Sequence, residues 1–129
     1  MSSIRLFMIA VAIPLLMACS PHPGAANWHV AEETRAEIAA EFARIEVDFE
    51  GRATIFAAVE EGQAVSHDLA TAGRRCFWGG VDAQTVGLTC ALAADSAIEE
   101  HYMLRVSSET GMADLIQDGV VLGQFVRQP

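Results

Sequence analysis

Serine, histidine and aspartate are the residue types most often used together in hydrolysis, and this chain places one of each side by side. Ser66, His67 and Asp68 are consecutive, whereas the members of a catalytic triad come from distant positions. The string therefore predicts a polar turn. No two of the four histidines lie at the short spacing typical of metal ligands, so we expect no metal and no cofactor. The other three histidines are His22, His29 and His101.

Adjacent glutamates offer a second kind of chemistry, because two carboxylates can cleave a glycosidic bond. Such carboxylates must face each other across a cleft, about 5 to 9 Å apart. Neighbouring residues are more typical of solvated helix starts, turns and strand ends, and we expect that here. A small periplasmic hydrolase that uses these carboxylates, His67 or His101 remains the alternative function. The three pairs are Glu32–Glu33, Glu60–Glu61 and Glu99–Glu100.

Two cysteines are placed as if to face each other in a hairpin. Cys76 and Cys90 are symmetric about residue 83, and turn-forming residues, including Gly79 and Gly80, lie between them. Directly opposed residues of antiparallel strands have Cα atoms about 4.5 to 5.5 Å apart, which a disulfide can bridge. The sequence therefore predicts a Cys76–Cys90 disulfide.

Phe77 and Trp78 are the best candidates for binding a partner. Side chains alternate along a strand, so Trp78 shares the face of Cys76 and Phe77 takes the other face. One of the two aromatic rings is a candidate exposed anchor. The alternative is that both rings pack in the core.

The composition excludes two classes of protein. Of 129 residues, 52% are hydrophobic and 19% are charged, with 8 Lys and Arg against 17 Asp and Glu. This is too apolar for intrinsic disorder, and a net charge of -9 argues against binding nucleic acid. The length suits one domain.

The first residues have the pattern of a secretory signal. Arg5 precedes an uncharged apolar run over residues 6–16. A membrane-spanning helix needs about 20 apolar residues, so this run is too short to be one.

The end of this segment, Leu16-Met17-Ala18-Cys19, resembles the lipobox of bacterial lipoproteins. The resemblance implies that residues 1–18 are removed and that Cys19 is acylated. Because Ser20 is not the aspartate that marks retention in the inner membrane, it also implies the outer membrane. The alternative is an ordinary signal peptide that leaves Cys19 as a free thiol.

Residues 19–28 are rich in proline and small residues and are interpreted as the lipidated cysteine and a short tether. Residues 29–129 would then form a single periplasmic domain. Within it, the apolar spacing over residues 30–43 predicts a helix. The strict alternation over residues 44–50 predicts a strand. The alternative is a helix that continues through residues 44–59.

Alternating apolar residues predict further strands over residues 75–78, 86–92, 102–106 and 120–126. Residues 107–119 are expected to form a loop with one helical turn. The expected fold class is therefore α+β, with an N-terminal helix packed on an antiparallel meander that carries one disulfide.

These observations favour a small membrane-anchored lipoprotein whose periplasmic domain binds another envelope protein and catalyses nothing. Lysozyme inhibitors and assembly factors include lipoproteins of similar size, although no motif in residues 29–129 matches either group. The acidic charge favours a basic partner. A passive structural role in the envelope is a further alternative.

Overall fold

The computed structural model describes residues 21–58 and 71–129 and shows one closed barrel. Each strand pairs antiparallel with the next in the chain, and the last pairs with the first. A single short helix, α1 (Ala36–Glu41), lies between the first two strands. The strands are β1 (Asn27–Val30), β2 (Arg44–Val47), β3 (Arg52–Ala57), β4 (Thr71–Gly80), β5 (Thr85–Leu92), β6 (Glu99–Val106), β7 (Ala113–Gln117) and β8 (Val120–Arg127).

The α+β prediction is wrong, because the described chain is almost entirely β-structure. Of residues 30–43, which were expected to form one helix, only the six residues of α1 are α-helical. Its first apolar position, Val30, belongs instead to β1, where it pairs with Phe125 of β8. Without β1, both β2 and β8 would present unpaired edges, so closing the barrel outweighs the local helical pattern.

Residues 44–59 form a hairpin as far as they are described, so the continuing helix is excluded. Ile45 and Val47 point into the barrel as expected, whereas Phe49 lies in the turn and is 75% exposed. One carboxylate oxygen of Asp48 accepts the backbone N–H groups of Glu50 and Arg52, each at 2.8 Å. These two hydrogen bonds lower the pKa of Asp48 and fix the turn.

The loop with a helical turn expected over residues 107–119 is also wrong, because β7 occupies its second half. Leu115 points into the core, whereas Ile116 pairs with the outward-facing Met103 and Val121 and is nevertheless only 7% exposed. Two consecutive buried apolar residues hide the alternation of a strand. Asp118 and Gly119 then form a two-residue connection to β8, both with positive φ (51° and 79°).

The barrel is filled with apolar side chains. The four strands predicted in the second half are present, and their inward residues meet those of β1, β2 and β3 in one cluster. The largest fully buried side chains are Trp28, Phe125, Ile45, Ile55, Leu88, Leu104, Leu115 and Val86.

The strand ends define two ends of the barrel. The upper end carries α1 and the β7–β8 turn, and the lower end carries the β2–β3 and β4–β5 turns.

The predicted disulfide is confirmed. Cys76 of β4 lies directly opposite Cys90 of β5, and their Cα atoms are 4.0 Å apart. Both cysteines are buried in the barrel. A bridge closing a loop of this size stabilises the fold by about 3 kcal/mol in the chain-entropy account.

Residues 21–26, interpreted as part of a tether, pack against the lower end of the barrel. The His22 ring accepts the N–H of Gly24 at Nδ1 (3.0 Å), so Nε2 donates to the carbonyl of Asp82 (2.7 Å). Arg127 donates to the carbonyl of Pro23 at 2.6 Å. The ring of Trp28, included in the tether by the sequence reading, is fully buried in the barrel.

Residues 1–20, with the proposed signal peptide and Cys19, lie outside the described residues. No helix within residues 21–58 and 71–129 is long and apolar enough to cross a bilayer.

Gly123 allows the segment around α1 to approach β8 closely. A Cβ at this position would lie 2.8 Å from Cγ2 of Thr34 and 3.3 Å from Cγ2 of Ile38. We predict that Gly123→Ala lowers the free energy of unfolding by about 1–3 kcal/mol, because overpacking must displace that segment. Urea denaturation measures the change.

The matched control is Gly79→Ala in β4, where a Cβ would meet no atom within 4 Å. This variant should keep the stability of the wild type. Equal losses in the two variants would contradict the close approach at Gly123.

Candidate functional site

Phe77 and Trp78 point to opposite sides of the barrel wall, as the alternation predicts. Phe77 lies on the outside and is 69% exposed, whereas Trp78 is half-buried and packs against the core. The structure therefore separates the two candidates for partner binding, and Phe77 is the ring available to a partner.

Trp78 closes part of the lower end of the barrel. Its indole Nε1 donates to the carbonyl of Asp48 at 3.0 Å, which ties β4 to the β2–β3 turn. The His22 ring packs edge-on against it, with ring centroids 6.1 Å apart. These contacts hold the N-terminal segment in place, so Trp78 has a structural role.

Phe77 stands beside a shallow cleft on the outer wall. Its direct neighbours across the strands are Arg52 on β3 and Thr89 on β5. Two residues earlier on β4, Arg75 lies opposite Thr54. The cleft has a volume of about 290 Å³, and its outward-facing lining consists of Arg52, Thr54, Arg75 and Phe77.

Basic side chains dominate the outer wall around this cleft. Arg44 lies on β2 opposite Phe56, with its guanidinium 4.3 Å from the centre of that ring. The strand residues of this wall include one outward carboxylate, Glu46. Among the described residues, none of its three arginines forms an ion pair. We call Arg44, Arg52, Phe56, Arg75 and Phe77 the arginine–phenylalanine face.

A second polar cluster lies inside the upper end of the barrel. Arg74 is almost completely buried, and its Nε donates to Glu100 at 2.6 Å. A further guanidinium nitrogen lies 3.5 Å from a carboxylate oxygen of Glu41 in α1. The guanidinium also stacks 4.5 Å from the centre of the Phe42 ring. These contacts fasten α1 to the barrel.

The environment of this cluster raises the pKa values of Tyr102 and Arg74, which keeps the phenol neutral and the guanidinium charged at neutral pH. Burial raises the pKa of Tyr102 to about 12, against the opposing charge of Arg74. Burial acts to lower the pKa of Arg74, but the hydrogen bond and charge of Glu100 outweigh it and raise the pKa. A neutral phenol beside a paired guanidinium supplies no general base at neutral pH.

The sequence reading missed this cluster, although a signal was present. Arg74 is two residues before Cys76, so both share the inward face of β4. On β6, Glu100 is two residues before Tyr102, so these two side chains also share one face of their strand.

Within the described part of the chain, the structure does not set the candidate catalytic carboxylates facing each other across a cleft. Glu99 and Glu100 are neighbours on β6 and therefore face opposite ways: Glu99 lies 3.2 Å from exposed His101, and Glu100 binds Arg74. Glu32 and Glu33 are exposed in the turn before α1.

The remaining candidates are dispersed or fall outside the described part of the chain. His29 is exposed on β1, seven residues after His22, whose ring is held by Gly24 and Asp82. Within the described ranges, no three His, Cys, Asp or Glu side chains converge as metal ligands would. Residues 59–70, and with them Glu60, Glu61 and the Ser66-His67-Asp68 string, lie outside the described residues.

No model of a known protein family matches the chain, and neither a curated protein nor a solved structure matches it.

Tyr102 provides a direct test of the buried cluster, because it is the only tyrosine in the chain. We predict that its tyrosinate absorbance appears with a midpoint near pH 12 in the folded protein, against the ordinary value of 10.0. The folded state holds this proton more tightly than the unfolded state. Its contribution to stability is therefore complete below pH 10 and is lost as the pH rises towards 12.

Tyr102→Phe serves as the control, since it should abolish the absorbance change. In denaturant, the wild-type midpoint should return to about pH 10. A midpoint near 10 in the folded protein would show that the phenol is not buried beside Glu100.

Proposed function

We propose that this chain is a bacterial lipoprotein that is anchored to the outer membrane through Cys19. Its barrel faces the periplasm and binds another envelope protein. In this proposal the barrel catalyses no reaction. The observation that carries it is Phe77, a large aromatic side chain exposed at 69% on the outer wall of a packed barrel. Exposed aromatic anchors are typical of protein-binding surfaces.

The hairpin that carries Phe77 is rigid. The disulfide joins β4 to β5 at Cys76, the residue immediately before Phe77. On the other side, Arg52 of β3 pairs directly with Phe77. An anchor that is already held in place loses little conformational entropy on binding, which supports its use in recognition.

The packing of residues 21–26 supports a position close to the membrane. Cys19 precedes Pro21 by two residues, which span at most about 7 Å. Pro23 and His22 are held to the lower end of the barrel. If Cys19 carries acyl chains, that end therefore lies at the lipid surface, and a partner must be reachable there.

Cys19→Ala tests the anchor. We predict that this variant remains an unprocessed precursor and takes up no lipid label, because residue 19 then has no thiol to acylate. Metabolic labelling with a fatty acid, followed by gel electrophoresis, measures both effects. Ser20→Ala is the matched control and should behave as the wild type; lipid labelling of the Cys19→Ala chain would refute the anchor.

Phe77→Ala tests the binding surface. We expect it to cost about 2 kcal/mol or more in partner affinity, as truncation of a central anchor does. Stability should hardly change, because the side chain is exposed. The measurement is crosslinking in intact cells with a C-terminally tagged full-length chain, followed by quantification of the captured envelope protein.

Val120→Ala is the control, since Val120 is 61% exposed in β8, on the opposite side of the barrel. It should leave capture unchanged. Capture that is equally strong with Phe77→Ala would remove this face from the proposed function.

A further inference from the structure

The cleft beside Phe77 has a charge opposite to that of the whole molecule. We infer that it binds an acidic segment of the partner protein, with Arg52 and Arg75 pairing with carboxylates and Phe77 packing on an apolar side chain. This inference rests on the proposed function and specifies the chemistry of the partner at that site.

The first argument is the distribution of charge. The chain has a net charge of -9 and only 8 basic residues. Arg52 and Arg75 line the cleft itself, and Glu46 is the outward carboxylate on the neighbouring strand β2. Asp48 and Glu50 lie outside the cleft, in the β2–β3 turn that precedes Arg52. Charges beyond about 10 Å are largely screened at physiological salt, so the two lining arginines, and not the net charge of the chain, act most strongly on a ligand seated between them.

The second argument is the absence of internal partners for these arginines among the described residues. The ion pairs that arginines form in this part of the chain use Arg35, Arg74 and Arg105. Arg52 and Arg75 are exposed and form no ion pair within residues 21–58 and 71–129, although the charge of Arg52 helps to lower the pKa of Asp48. Neither guanidinium group therefore has to break an ion pair there before it binds a carboxylate.

The third argument is spacing. Arg52 is opposite Phe77, and Arg75 is two residues away from Phe77 on the same strand. The two arginines are thus offset by about 6.6 to 6.8 Å along the strands and by one strand spacing of about 4.8 Å across them, which places their Cα atoms about 8 Å apart. An extended segment with acidic residues at positions i and i+2 presents two carboxylates on one face about 6.6 to 6.8 Å apart, within reach of both long arginine side chains.

The acidic composition led to the expectation of a basic partner, whereas the charge of this face favours an acidic segment at the site itself. A basic segment in the cleft would meet Arg52 and Arg75 at close range, and like charges in contact oppose binding. Electrostatic selection at this site therefore favours carboxylates.

The test replaces Phe77 with the photo-crosslinking residue p-benzoyl-phenylalanine in the full-length chain, in cells of its own organism. After irradiation, the crosslinked peptide is sequenced by mass spectrometry. We expect a protein segment with at least two Asp or Glu residues around the crosslinked position. The same replacement at Val120 is the control and should give no such adduct.

Charge reversal completes the test. Arg52→Glu with Arg75→Glu should reduce the adduct by more than about tenfold. Arg35→Glu, an exposed arginine before α1, should leave it unchanged.

The possible failures are distinguishable. An adduct with a basic or uncharged protein segment, or one insensitive to the double reversal, overturns the acidic-segment inference and leaves the proposed function intact. No protein adduct at position 77, or adducts with lipid alone, overturns the proposed function and this inference with it.

Discussion

The pairing of β1 with β8 is the constraint on which the rest of the structure depends. It removes the two free edges that an eight-strand meander would otherwise expose, and it buries Trp28 at the centre of the core. The same pairing fixes the N-terminal segment at the lower end, where Arg127 and the Trp28 indole hold Pro23 and Gly24. Closure of the barrel thus also determines where the N-terminal segment leaves the domain.

Local signals predicted the hairpin well and the closing strand not at all. The symmetry of Cys76 and Cys90 about a glycine-containing turn was sufficient for their register, because the partners are close in sequence. The strand β1 has only four residues, and its partner β8 lies at the other end of the chain. Long-range pairing of this kind leaves no local pattern. The Asp118-Gly119 pair, by contrast, is typical of a two-residue hairpin turn and indicates the β7–β8 hairpin from sequence alone.

The candidate site was likewise predictable where it depends on local alternation and unpredictable where it depends on the pairing of distant strands. Alternation along β4 predicted that the side chains of Phe77 and Trp78 point to opposite faces of the strand, and the structure confirms this prediction. The same alternation places Arg75 on the face of Phe77, two residues away on β4. Arg52 depends on the register between β3 and β4, which are joined by a long connection, so the sequence could not place it there. Phe77 is thus exposed beside two arginines on the outer wall, whereas Phe49, which is also exposed, lies in the β2–β3 turn.

Amide hydrogen exchange of the full-length protein tests the closed barrel most directly. The account predicts that the amides of β1 and β8 that bond across the closing pair exchange only through global unfolding, as slowly as those of the disulfide-bonded β4–β5 hairpin. Fast exchange in β1 alongside full protection of β5 would contradict it, because the barrel would then be an open sheet with a detachable N-terminal segment.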